Sequence, residues 1–177
     1  MAGPGIALPA ITMSEAQAYV RIETGEEEAV LAGLVRTASA LCESFINQVI
    51  IARTFTEDLP ASGSWVRLAL TPVSAITTVE AVDGNGVAVP LLSADYAIDV
   101  DSSGDGWVRI TGSTSASRVR VSGTAGMAPS ENEVPEPIRQ GILRLIAFLF
   151  TSRDGSGGEP PAAVTALWRP YRRMRLS

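Results

Sequence analysis

Among the residues able to do chemistry, Asp99-Val100-Asp101-Ser102-Ser103-Gly104 forms the most suggestive run. It places oxygen donors at the first, third and fifth positions and glycine at the sixth, which is how a calcium-binding loop begins. The twelfth position should then be a bidentate glutamate, and it is Ile110. A polar hairpin accounts for the same residues, since Asp and Gly supply turn geometry. Glu57 and Asp58 form a carboxylate pair that could serve acid–base chemistry, but no second pair is placed opposite them; a solvated strand end is the plainer reading. Cys42 is a possible nucleophile. It lies on an apolar helical stripe, however, and the chain has no histidine to activate it. The absence of histidine also removes the commonest general base and metal ligand. No nucleophile elbow, phosphate-binding loop or dinucleotide fingerprint is present. The expectation is a protein that is not an enzyme, with no cofactor and no metal.

The other unusual stretch is the end of the chain, from Trp168 to Ser177. It holds four arginines, a Trp and a Tyr with no acid, in a protein of net charge −5. Trp, Tyr and Arg dominate binding hot spots. Trp168, Arg169, Tyr171, Arg172, Arg173 and Arg175 are therefore candidate docking residues, with a frayed, solvated end as the other reading.

These residues must be held by a chain of 177 residues, 46% hydrophobic and 19% charged, enough for one sizeable core or a core with an appended subdomain. All 14 cations are arginine. The acidic balance argues against a protein that wraps nucleic acid, because such binding needs clustered cations to displace counterions from phosphate. One cysteine leaves no internal disulfide, and an intracellular setting is the default. The N-terminal stretch lacks signal-peptide features, and the longest apolar run, near residues 142–150, is too short for a bilayer; no membrane segment is expected.

Residues 1–11, rich in Gly, Pro and Ala, read as an extended arm. Thr12 with Glu15 forms a capping-box pattern opening a short helix to about Ile22. Thr24 with Glu27 repeats it, and Glu26–Glu28 place negative charge at the start of a second helix. Val30, Leu31, Leu34, Val35, Ala38, Leu41, Cys42, Phe45, Ile46 and Val49 give that helix one broad apolar face, over a length of ~35 Å. From Ile50 the period changes. Short β-type segments follow at 54–56, 65–70, 75–82, 87–92, 96–100, 107–110 and 118–122, with Asp83-Gly84-Asn85-Gly86 as a hairpin turn. Strict alternation at Arg118-Val119-Arg120-Val121 leaves one face wet, the mark of an antiparallel sheet or small barrel. Pro135 and Pro137 open a third helix with a stripe of Ile138, Ile142, Leu145, Ile146, Leu149 and Phe150. Pro160-Pro161 start a fourth, stopped by Pro170. The expected fold is α+β: a helical bundle of about four helices (12–49 and 128–167) carrying an inserted antiparallel β subdomain (50–127), between an arm (1–11) and a basic aromatic tail (168–177).

Several phrases in this order resemble the head–tail connector, or adaptor, family of long-tailed phages and gene transfer agents. They are Tyr19-Val20-Arg21-Ile22 before an acidic turn and long helix, and Leu70-Thr71-Pro72-Val73 followed by Ile76 and Val79. Asp95-Tyr96-Ala97-Ile98-Asp99 and Val121-Ser122-Gly123-Thr124-Ala125-Gly126 come next, then Val134-Pro135 with Ile138-Arg139, and last the run from Leu167 to Arg173. Together they span about residues 12–177. One departure is the turn carrying Thr24-Gly25 and glutamates, where relatives often have aspartates. The resemblance implies a structural subunit of a homo-oligomeric, dodecameric ring beneath a portal protein. That ring would extend the DNA channel without sequence-specific binding and hold the next head-completion (stopper) or tail protein. The location would be the head–tail junction of a virion or phage-like particle assembled in the host cytoplasm, with the C-terminal residues named above docking on the portal. The alternative is a binding module whose β subdomain takes a peptide, a glycan or a calcium-dependent ligand.

Overall fold

The computed structural model describes residues 7–22, 27–152 and 161–173. Two compact units emerge: one is Ala52–Gly126, and the other holds the described residues of Ile6–Ile51 and Met127–Ser177.

In the helical unit, α1 (Met13–Val20) begins with the expected capping box. The Thr12 hydroxyl accepts the Glu15 amide at 3.2 Å, and the Glu15 carboxylate accepts the Thr12 amide at 3.0 Å. α2 (Glu28–Ile46) has Glu27 as its N-cap, whose side chain does not cap the helix; Thr24 and Glu26 lie outside the described residues. Its 19 residues span ~28 Å rather than ~35 Å, because Asn47 takes a left-handed conformation (φ 55°) that ends the helix. The buried face is also narrower than expected. Leu31, Val35, Ala38, Cys42 and Ile46 are buried, whereas Val30 and Leu41 are exposed. α2 is long and apolar enough to cross a membrane by length and composition, with a mean hydropathy of 1.5, but this stripe packs into the helical core.

A short 3-10 turn (Glu131–Glu133) precedes α3 (Glu136–Thr151), which starts at Pro135 and buries Ile138, Ile142, Leu145 and Ile146. α4 (Ala162–Trp168) runs into a 3-10 turn at Arg169–Tyr171. The α-helix thus ends at Trp168, as expected ahead of Pro170, which has no amide for the helical ladder. Arg139 on α3 joins three elements: its guanidinium bonds the Glu15 carboxylate and the Glu131 carbonyl, with Glu136 at 3.6 Å. The end of the expected arm belongs to this core. Ala10 and Ile11 are buried, and the Ala10 amide donates to Ser39 Oγ at 3.1 Å.

The β unit holds β1 (Arg53–Pro60), β2 (Val66–Arg67), β3 (Val73–Val82), β4 (Ala88–Pro90), β5 (Tyr96–Val100), β6 (Gly106–Ile110) and β7 (Arg118–Ala125). They form a four-stranded sheet, β1-β7-β3-β4, and a three-stranded sheet, β2-β6-β5, with antiparallel pairing throughout. Each sheet buries one face: Val119, Val121, Gly123 and Ala125 on β7, and Gly106, Val108 and Ile110 on β6. Among the described residues, four helices and antiparallel sheets make this an α+β fold. The Asp83–Gly86 turn links β3 to β4, with Asp83 Oδ1 accepting the amides of Asn85 and Val87.

Candidate functional site

The possible reaction centres resolve into structure. Asp101 organises the β5–β6 turn: Oδ1 accepts the amides of Ser103 at 2.8 Å and Asp105 at 3.0 Å, and Oδ2 accepts Trp107 Nε1 at 3.3 Å. Gly104 sits at φ 79°, a conformation that glycine permits. Ile110, at the calcium loop's last position, is a buried strand residue. Among the described residues, no group of three or more His, Cys, Asp or Glu could hold a metal. Asp58 forms a bidentate pair with Arg120 directly across β1 and β7, at 2.8 and 3.1 Å. The Arg120 hydrogen bond outweighs burial and, with the nearby charges of Arg120 and Arg118, holds the Asp58 carboxyl below its ordinary value. Glu57 accepts the Ala69 amide at 2.9 and 3.1 Å. Asp58 thus ties β1 to β7, and Glu57 ties β1 to the bend that follows β2. Cys42 is fully buried, and burial, aided by the Glu43 charge, pushes its thiol pKa up, away from a reactive thiolate. An open cleft of about 540 Å³ in the helical unit, lined by residues including Leu8, Ile11, Met13 and Val35, has Arg36 and Glu131 as its charged members. It offers no acid–base pair.

The C-terminal docking candidates separate into two groups. Trp168, expected as an exposed anchor, is 3% exposed. Its indole donates to the Ile138 carbonyl at 3.2 Å and lies 5.9 Å from the Phe45 ring, while Gly141 leaves room for it on α3. This corrects the sequence reading: the hydrophobic ring is satisfied by the chain's own core, because a glycine notch and an aromatic partner face it. Tyr171 is half-buried, and its carbonyl accepts Gln48 Nε2. The Arg173 amide donates to the Ile46 carbonyl at 2.9 Å. Arg169 and Arg172 are exposed, the latter with its guanidinium 5.4 Å from the Phe45 ring. Arg175 lies outside the described residues. The segment is fastened to α2 and α3 as far as residue 173, and what it presents outward is arginine.

Sequence reasoning missed a second surface. Five exposed apolar side chains, Val87, Val89, Leu92, Ile98 and Val100, cluster in one short stretch. A signal for it was present: no cation occurs between Arg67 and Arg109.

With no catalytic constellation among the described residues, comparison with known proteins decides the reading. One similar structure is the neck of an empty gene transfer agent particle computed with C6 symmetry, with TM-score 0.79 and 26% identity over 100% of this chain and 96% of that chain. This chain has the fold of a gene transfer agent neck protein. A chain in the virion of the native particle gives the same TM-score and identity, covering 100% of this chain and 97% of that one. The neck of the native particle computed with C12 symmetry matches in fold, with TM-score 0.77 and 23% identity over 100% and 96% of the two chains. No protein-family profile matches the sequence, and no curated protein matches it. The resemblance to head–tail connectors rests on a full-length likeness to neck proteins, which sets this chain at the neck of a phage-like particle. The symmetries of the similar necks support a ring oligomer within such a particle.

Proposed function

We propose that this protein is a head–tail adaptor: a ring subunit beneath the portal that extends the DNA channel and joins the capsid vertex to the next connector or tail protein. The carrying observation is the full-length likeness, at 26% identity, to chains of gene transfer agent particles. A closed ring of like subunits needs two different complementary faces on each copy, and two compact units supply distinct surfaces. The acidic balance, with net charge −5, suits a channel through which DNA slides without being held by clustered cations. Twelve subunits per ring is the stoichiometry we adopt.

Within this reading the C-terminal segment docks on the portal, with a division of labour that burial dictates. Trp168 fixes the segment to its own subunit, and Arg169 and Arg172, with Arg175 beyond them, pair with portal carboxylates through charge-assisted hydrogen bonds. Tyr171 and Arg173 hold the backbone in register for that contact. Removing the whole segment from Trp168 would damage the fold, so the test is Arg169→Ala with Arg172→Ala in the full chain. Sedimentation with purified portal should show binding weakened on the order of tenfold, with an unchanged melting curve. Undiminished binding by the double variant would refute the arginine contact.

A further inference from the structure

Of the ten large hydrophobic side chains that stand exposed among the described residues, half fall between Val87 and Val100. They are not scattered surface residues. β4 and β5 are edge strands of different sheets, joined through residues 91–95, and β5 runs beside β3. Register shows which way their side chains face. Ile98 is opposite Val108, and Val100 is opposite Gly106, so both lie on the buried face of the three-stranded sheet. Val89 is opposite Ala81, which is opposite Val119 on the buried face of the other sheet. Yet Val89 is 57% exposed, Ile98 43%, and Leu92, between the two strands, 74%. The core-facing sides of both sheets therefore continue past the edge of the core, leaving it open along β4 and β5. Exposed apolar edges of this kind invite pairing with another chain unless they are covered.

The segment that forms this opening is acidic, although Asp105 is paired with Arg67 and Glu80 lies opposite Arg120. Residues 68–108 contain Glu80, Asp83, Asp95, Asp99, Asp101 and Asp105 and no cation. The helical unit exposes Arg21, Arg36 and Arg144, apart from the portal-facing Arg169 and Arg172, together with Glu28, Glu133 and Glu136. We infer that the open edge formed by β4 and β5 is one half of the contact between neighbouring subunits, and that its occupant is an arginine-bearing surface of the helical unit of a second copy. This inference rests on the ring reading and specifies its interface. Apolar burial supplies the affinity, and the complementary charges choose the face and direct its approach. A contact between two unlike surfaces is heterologous, which is the kind that closes into a ring.

The test places a photo-reactive benzophenone amino acid at Leu92 of the full chain bound to portal, alongside a second variant carrying Val89→Asp and Ile98→Asp. Illumination should join Leu92 to another copy of this chain, at a peptide of the helical unit. The charged variant should keep the parent melting curve, since both positions are exposed, but bind portal without cooperativity and on the order of tenfold more weakly. Crosslinking only to a different neck protein, no crosslink at all, or full cooperative rings from the charged variant would each overturn the interface while leaving the ring standing. If the unmodified chain bound portal without forming a ring, the adaptor reading itself would fail.

Discussion

Replacing Trp168 by alanine separates an internal fastening from an external anchor. The side chain is 3% exposed, bonded to the Ile138 carbonyl at 3.2 Å and set against Phe45 and the Gly141 notch. Truncating a buried Trp to Ala costs ~3–5 kcal/mol, the spread reflecting how far the cavity collapses. Against a typical stability of ~5–15 kcal/mol this is a large fraction. At ~2–4 °C per kcal/mol for a chain of this size, the melting temperature should fall by ~6–20 °C. Gly141→Ala supplies a second arm, since its Cβ would overlap the indole Nε1. Overpacking of this kind costs ~1–3 kcal/mol, and the cost should nearly vanish in the Trp168→Ala background, because contacting residues are not additive. Thermal melts followed by circular dichroism at helical wavelengths would measure all four chains. An unchanged melting temperature for Trp168→Ala, or a Gly141→Ala cost that is the same in both backgrounds, would refute the packing argument and return Trp168 to the surface.

Three further outcomes follow from the same geometry. Cys42 should resist thiol labelling in the native chain at neutral pH and react only on unfolding; labelling at the rate of a free thiol would contradict its burial. Asp58 has a lowered native pKa, so its pairing with Arg120 stabilises the fold above the unfolded carboxylate value of ~3.9 and is lost as the pH falls through the native one. Urea midpoints of Asp58→Asn should therefore lie below those of the parent at pH 7 and converge with them in acid; a pH-independent difference would remove the pair's role. Ser39→Ala leaves the buried Ala10 amide without its acceptor, which should cost ~1–3 kcal/mol and speed hydrogen exchange at Ala10, whereas unchanged exchange would contradict the contact.

Local patterns carried most of the fold. The Thr12–Glu15 box, the stripe Ile138-Ile142-Leu145-Ile146, the Asp83–Gly86 turn and the alternation from Arg118 are each written within a few neighbouring residues, and all four took the expected form. What sequence did not reveal depends on residues far apart in the chain. That β7 lies between β1 and β3 is a matter of topology, which periodicity does not encode. Trp168 looked like an exposed anchor because nothing beside it in sequence marks the Gly141 notch or Phe45. Ala10 and Ile11 looked like part of a loose arm because Ser39, which accepts the Ala10 amide, is distant in the chain. Val89 and Ile98 alternate like ordinary strand residues, and only the register shows that their buried-side faces run out of core to cover them.

The adaptor reading meets its most direct test in electron cryomicroscopy of purified portal mixed with this protein. One added ring of twelve copies should stand below the portal, with the exposed arginines at Arg169 and Arg172 against portal density and the β4–β5 edge covered by the neighbouring subunit. Portal particles that gain no density, or single copies bound without contact between neighbours, would contradict it.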